Sequence, residues 1–190
     1  MQGLSIGFAM CGSFCTLRQA IKEIETLKTA GADITPIMSP IVYNTDTRFG
    51  KCADFISEVE TLSGKKILHT VADAEPIGPR KLLDVLVVAP CTGNTLGKLA
   101  NGITDTSVTM AIKAHLRNER PVVLAVATND ALGASAKNIG LLFNSRHIYF
   151  VPLSQDDPCG KPNSLIADFK KIPETVTAAL LGNQIQPVLF

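Results

Sequence analysis

Short apolar runs alternate with longer amphipathic stretches along most of the chain. Leu4-Ser5-Ile6-Gly7-Phe8-Ala9-Met10 opens the series as a strand with almost no polar break. Further strands are predicted at Ile34–Met38, Lys66–His69, Val85–Ala89, Pro121–Ala127 and Ile148–Val151. Between them the apolar positions recur at helical spacing near residues 15–29, 50–62, 94–100, 105–117 and 133–144. The first of these is the clearest, with Leu17, Ala20, Ile21, Ile24 and Leu27 on one stripe. Strands that are apolar on both faces and alternate with helices predict a parallel sheet covered on both sides. The expected fold is therefore a doubly wound α/β domain, a three-layer sandwich.

The last forty residues break the alternation. Pro152–Pro162 is rich in Pro, Asp and Gly, so 152–163 is expected to leave the core as a loop. From Asn163 or Ser164 a last helix is predicted, with Leu165, Ile166, Phe169, Ile172, Val176 and Leu180 as its stripe and an interruption at Pro173. The region 164–190 then reads as a C-terminal helix and an apolar tail, Ile185–Phe190. That tail suits either a strap on its own domain or a contact between protomers. All of 1–190 is expected to form one domain.

In doubly wound sheets ligands bind where strands end and the order of connections reverses. That rule groups the loops at 11–16, 39–48, 90–95 and 128–132. The first is Cys11-Gly12-Ser13-Phe14-Cys15-Thr16, immediately before the Leu17 helix. Backbone N–H groups and the positive helix end converge there, which suits an anion such as phosphate. Gly12 admits close backbone approach, and Ser13 and Thr16 add hydroxyls. In the second, Pro90-Cys91-Thr92-Gly93-Asn94-Thr95, Asn94 or Thr95 is placed to cap the following helix. Thr104 is the expected cap of the helix after it. Asn129 and Asp130 follow a buried strand at the same edge and suit either a substrate carboxylate or a helix cap.

Composition narrows the chemistry. Eighteen basic against seventeen acidic residues, without a basic block, gives no nucleic-acid signature. Met1-Gln2-Gly3 lacks the basic start of an export signal. No apolar run reaches the ~18 residues of a membrane span. Five cysteines without paired CxxC spacing read as reduced thiols in a cytoplasmic protein, and no metal site is expected. The three histidines, His69, His115 and His147, stand in no catalytic or ligand spacing. Cys91 has no nearby activating base. Arg48, Lys51, Arg80, Lys98 and Lys137 are the cations available to a dicarboxylate. The second predicted strand ends in Met38-Ser39-Pro40 rather than an acid, which disfavours NAD in this chain.

Two motifs together resemble the flavoprotein family of cysteine decarboxylases and flavin prenyltransferases. They are Gly12-Ser13 after the first strand and the run Pro-x-x-x-Asn-Thr-x-x-Lys-x-Ala-x-Gly-x-x-Asp from Pro90 to Asp105. The similarity spans roughly residues 3–150. It implies a flavodoxin-like (Rossmann-like) fold and an FMN site. Phosphate contacts would fall on Gly12, Ser13, Phe14, Cys15 and Ser39, and flavin contacts on Pro90, Cys91, Thr92, Asn94 and Thr95. It also implies a homo-oligomer built on trimers.

The chain departs from that family where catalysis is concerned. Pro76-Ile77 stand where the decarboxylases carry a histidine, and Ala127-Thr128-Asn129-Asp130 replace their Pro-Ala-Met-Asn. Thr128 or Asn129 replaces the arginine of the prenyltransferases. Neither decarboxylation nor prenyl transfer is expected.

Overall fold

The computed structural model describes residues 1–190. Its spine is a parallel sheet of β2 (Asp33–Met38), β1 (Ser5–Met10), β3 (Val85–Cys91) and β4 (Val122–Thr128), in that spatial order. The far edge of β4 is shared. β5 (Ile148–Phe150) pairs in parallel with Val122–Leu124, and β7 (Leu165–Ala167) pairs antiparallel with Ala127–Thr128. β6 (Leu153–Ser154) closes that corner against β7. This is a three-layer α/β fold of flavodoxin-like type. The reversal of strand order lies between β1 and β3.

Every residue of β3 is buried, as are all but the first of β1 and the last of β4. Helices on both faces are the only way to cover such strands, and the core is one continuous cluster. Helix α1 (Phe14–Thr29) buries the predicted stripe of Leu17, Ala20, Ile21, Ile24 and Leu27. Helix α2 (Pro40–Asn44) is a single short turn started by Pro40, followed by α3 (Cys52–Ser63), which ends at Gly64. Gly64 has φ +72°, the left-handed region that stops a helix cheaply only at glycine.

The predicted strand at 66–69 shrinks to one bridge, Leu68 against Ile37. The reason is immediate: Thr70 and Asp73 form a reciprocal capping box that starts α4 (Val71–Ala74). Pro76 lies in the 3₁₀ turn that follows, Glu75–Ile77. Helix α5 (Gly93–Ala100) is capped by Thr92, not by Asn94 or Thr95. Helix α6 (Ser107–Leu116) is capped by Thr106 with Thr109, not by Thr104. Helix α7 (Ala136–Phe143) follows a tight turn after β4.

The end of the chain differs most from expectation. Leu165, Ile166 and Ala167 are a strand, not the start of a helix, because the open edge of β4 offers backbone partners. Helix α8 (Ile172–Leu180) starts later and takes Pro173 in its first turn, where a missing N–H costs nothing. The region 152–163 is not wholly loop, since Leu153–Ser154 is strand. The tail straps onto it: Leu153 N–H donates to Val188 O at 2.8 Å, and Phe190 N–H to Leu153 O at 3.2 Å. The Leu189 and Phe190 side chains stay exposed. No helix is long and apolar enough to cross a membrane.

Candidate functional site

A cleft of about 530 Å³ opens at the carboxyl ends of β1, β3 and β4. Gly12, Ser13, Phe14, Cys15 and Thr16 form its floor, and Thr92 and Asn129 stand at its inner side. The rest of its wall comes from two further segments, of which only the second was not foreseen. Arg48 and Phe49 come from the loop before α3, and Asp156, Lys161 and Ser164 come from the segment that follows β6. The only advance signal for that segment was its lack of periodicity.

The first loop leaves its donors free. Cys11 N–H is taken by Pro90 O at 3.1 Å, and Ser13 N–H turns back to Cys11 O at 2.8 Å. The N–H groups of Gly12, Phe14 and Cys15 donate to nothing within the chain. Ser13 does not cap α1 with its side chain. Its hydroxyl instead accepts from Thr16 Oγ1 at 2.9 Å and lies 3.8 Å from Cys15 Sγ. At the end of β2, Ser39 is buried and its Oγ has no partner. A buried hydroxyl without a partner costs about 1–3 kcal/mol. Ser39 N–H donates to Met10 O at 3.0 Å, which fixes Ser39 beside the start of the same loop. Gly12 is bordered by the Ile41 side chain, which a Cβ would meet at 2.9 Å.

The second loop uses its groups internally. Thr92 Oγ1 accepts from Thr95 N–H at 3.4 Å, and Thr95 Oγ1 donates to Cys11 Sγ at 3.2 Å. That bond ties the two loops together. Pro90 and Cys91 are buried in the strand, so any ligand contact from them is a backbone contact. Asn94 faces away from the cleft, into a groove between α5 and α7 with Lys98 and Asp130. The predicted site residues thus divide. Gly12, Ser13, Phe14, Cys15, Thr92 and Asn129 share the cleft, while Ser39, Pro90, Cys91, Thr95, Asn94 and Asp130 do not line it.

Asp130 is occupied structurally. Its Oδ1 accepts from Thr128 Oγ1 and, at 3.0 Å, from Ser135 Oγ, while its carbonyl accepts from Gly133 and Ser135 N–H. It organises the turn before α7 but does not cap that helix, whose N-cap is Ser135 and whose first N–H groups donate to no side chain. Lys98 pairs with Asp105 at 2.7 Å outside the cleft. The histidines are also elsewhere. His115 is buried with Nε2 at 3.1 Å from Pro121 O, and burial pushes its pKa down to about 4. His69 stacks on Tyr43 with ring centroids 3.8 Å apart.

Burial raises the Cys11 thiol to about 11 and lifts the Cys91 thiol well above its usual value. Both are therefore neutral thiols at physiological pH and poor nucleophiles. The cleft's one carboxylate, Asp156, is held below the usual range by the Ser164 hydroxyl and the Lys161 ammonium. It is an ionised anchor, not a base poised near neutrality.

Comparison with known proteins bears on the fold and the family. A family model described as Flavoprotein matches residues 1–180. The chain is 44% identical over 189 residues to the dipicolinate synthase B subunit of Bacillus subtilis (strain 168), covering 100% of this chain and 94% of the relative. The crystal structure of the dipicolinate synthase B subunit from Bacillus halodurans C superimposes with a TM-score of 0.92 at 44% identity, covering 100% of this chain and 97% of that one. The FMN-dependent cysteine decarboxylase SpaF shares the fold, with a TM-score of 0.69 at 22% identity over 94% of this chain and 95% of that one. From the strand order, the switch-point loops and these matches, the chain belongs to the flavoprotein family.

Proposed function

We propose that the cleft seats FMN, and that the chain serves as the B subunit of a dipicolinate synthase. The observation that carries the first part is the set of three unpaired N–H groups, those of Gly12, Phe14 and Cys15, on the cleft floor, with the partnerless Ser39 hydroxyl buried beside the start of that loop. A dianionic phosphate would accept from those N–H groups, and the positive end of a sixteen-residue helix adds to the attraction. Gly12, Ser13, Phe14, Cys15 and Ser39 would hold the phosphate. Thr92 would border the flavin from the cleft itself, with Pro90, Cys91 and Thr95 behind it and Asn94 on the α5–α7 side of the same loop. When bound, FMN supplies a two-electron acceptor.

The second part rests on the match along the whole chain to the B subunit of dipicolinate synthase. The reaction would be oxidation of a dihydrodipicolinate, or its hydroxytetrahydro precursor, to pyridine-2,6-dicarboxylate. From the dihydro form the step removes the equivalent of a hydride and a proton, from the hydroxytetrahydro form a water as well, and it is favoured by the aromatic product. This chain's residues orient the substrate and exclude water. The Asn129 amide faces the cleft and suits a substrate carboxylate, while the wall from Asp156 to Ile166 closes the outer side. NAD(P) would enter only through a partner, the A subunit of dipicolinate synthase. The working form would be a trimer-based homo-oligomer in the cytoplasm of the mother cell of a sporulating bacterium.

A second reading has its own support. The cleft's one carboxylate, Asp156, is already paired, and no histidine lines it. A chain so equipped could act as an assembly or substrate-channelling partner for the A subunit, without catalysis of its own. Reconstitution with the A subunit separates the readings, with flavin and nicotinamide each omitted in turn. Flavin-dependent product formation supports the first. Full activity without flavin, from a protein that never takes up FMN, defeats it.

A further inference from the structure

The loop between α2 and α3 ends in a tight tip. Thr47 N–H donates to Gly50 O at 3.0 Å and Gly50 N–H to Thr47 O at 3.1 Å, leaving Arg48 and Phe49 at the apex. The tip is held at both sides. Asp46 Oδ1 accepts from Cys52 N–H at 2.9 Å, at the start of α3. Gly50, at φ +151°, lies so close to Phe55 that a Cβ would come within 2.9 Å of its ring. The Arg48 guanidinium rests 4.9 Å from the centre of the Phe49 ring. Such stacking fixes its plane and leaves the N–H edge free.

Charge balance singles out this residue. The cleft is lined by two cations, Arg48 and Lys161, and one anion, Asp156. Lys161 is paired with Asp156 at 3.1 Å. Arg48 takes part in none of the protein's ion pairs and donates no side-chain hydrogen bond. The phosphate seat has its own donors in the 12–16 loop. A second anionic group in the same cleft therefore has one unspent partner.

We infer that Arg48 is the carboxylate anchor of this cleft, holding a flat heterocyclic dicarboxylate by its planar fork, with the Phe49 ring at its side. The inference rests on the dicarboxylate reading above but does not need the flavin. A guanidinium matches a carboxylate with two parallel hydrogen bonds, which an ammonium cannot do.

The test is calorimetric titration of the full chain with pyridine-2,6-dicarboxylate, with and without FMN, and with pyridine-2-carboxylate for comparison. Arg48→Ala should weaken dicarboxylate binding roughly 10- to 100-fold, the loss expected for hydrogen bonds to a charged group. Arg48→Lys should recover only part of it. Both variants change an exposed tip and should melt like the parent protein. FMN affinity of Arg48→Ala should stay within about twofold of the parent, since the 12–16 loop is untouched. Unchanged dicarboxylate affinity overturns the inference, as does a parent protein that binds no dicarboxylate. A fall in FMN affinity matching the fall in dicarboxylate affinity also overturns it, because Arg48 would then serve the phosphate. If the parent binds dicarboxylate but not FMN, and Arg48→Ala weakens it, the anchor stands and the flavin reading fails.

Discussion

The loops after β1 and β3 share one local design: a buried strand, a turn of small polar residues and a helix start. They end in opposite states. The first keeps the N–H groups of Gly12, Phe14 and Cys15 unpaired and faces the cleft. The second caps its own helix through Thr92 and ties its Thr95 hydroxyl to Cys11. The neighbours account for the difference. Gly12 is bordered by the Cγ2 methyl of Ile41, a side chain that is exposed and can turn aside. Gly93 is pressed against a connected cluster, where a Cβ would lie 2.6 Å from Ser135 Oγ and 2.8 Å from both Asp130 Oδ1 and Thr128 Oγ1. One loop leaves its donors open to the cleft, the other spends its groups within the chain.

The contrast breaks most sharply at Gly12. Gly12→Asp places a carboxylate at the anion seat and should lower FMN affinity at least about 100-fold, with little change in melting temperature. Flavin fluorescence titration reads this, and undiminished affinity would remove the phosphate from this loop. At Gly93 the effect should be on folding instead. Gly93→Ala forces the Thr128–Asp130–Ser135 cluster apart and should cost about 1–3 kcal/mol in urea unfolding, the usual penalty of overpacking. Stability equal to the parent would mean that the second loop is not packed as described.

Ser39→Ala sharpens the comparison by separating the two effects at one residue. Without FMN it removes a hydroxyl that nothing satisfies, so stability should hold or rise. With FMN it should lower affinity about tenfold, the weight of one hydrogen bond to a charged group. Loss of stability in the free protein would show that the hydroxyl already has a partner.

The smallest effect is chemical labelling. Cys15 on the open loop is exposed, whereas Cys11 and Cys91 are buried with thiols pushed up by that burial. A raised pKa keeps the thiol protonated, and Cys11 loses its proton only as the pH approaches about 11. Alkylation near pH 8 should therefore modify Cys15 and spare Cys11 and Cys91, with FMN protecting Cys15. Modification of Cys91 in the folded protein would contradict its burial.

The parallel core and the first loop were legible in the sequence because their signals are local. Continuous apolar strands, the Leu17–Leu27 stripe and the Gly12-Ser13 turn each follow from a few adjacent residues. Short edge elements were less legible. The 66–69 run lost to the capping box at Thr70, and Leu165–Ala167, apolar enough for a helix, became strand because β4 had a free edge. Asn129 and Asp130 are adjacent in the chain, yet only Asn129 faces the cleft. Asp130 is turned away by Thr128 and Ser135, a competition that residue type alone does not settle.

By itself, then, the sequence determined the layered α/β order, the place where strands end in ligand-suited turns, and the motifs of the flavoprotein family. The tertiary structure decided which donors stay free, which are consumed, and which distant side chains complete the cleft. Arg48, Asp156, Lys161 and Ser164 reach it from segments without a periodic signal. The physical reason is one of range. Strand and helix preferences act over neighbouring residues, whereas the pairing state of a polar group depends on partners such as Cys11 and Thr95, eighty-four positions apart, that only folding brings together.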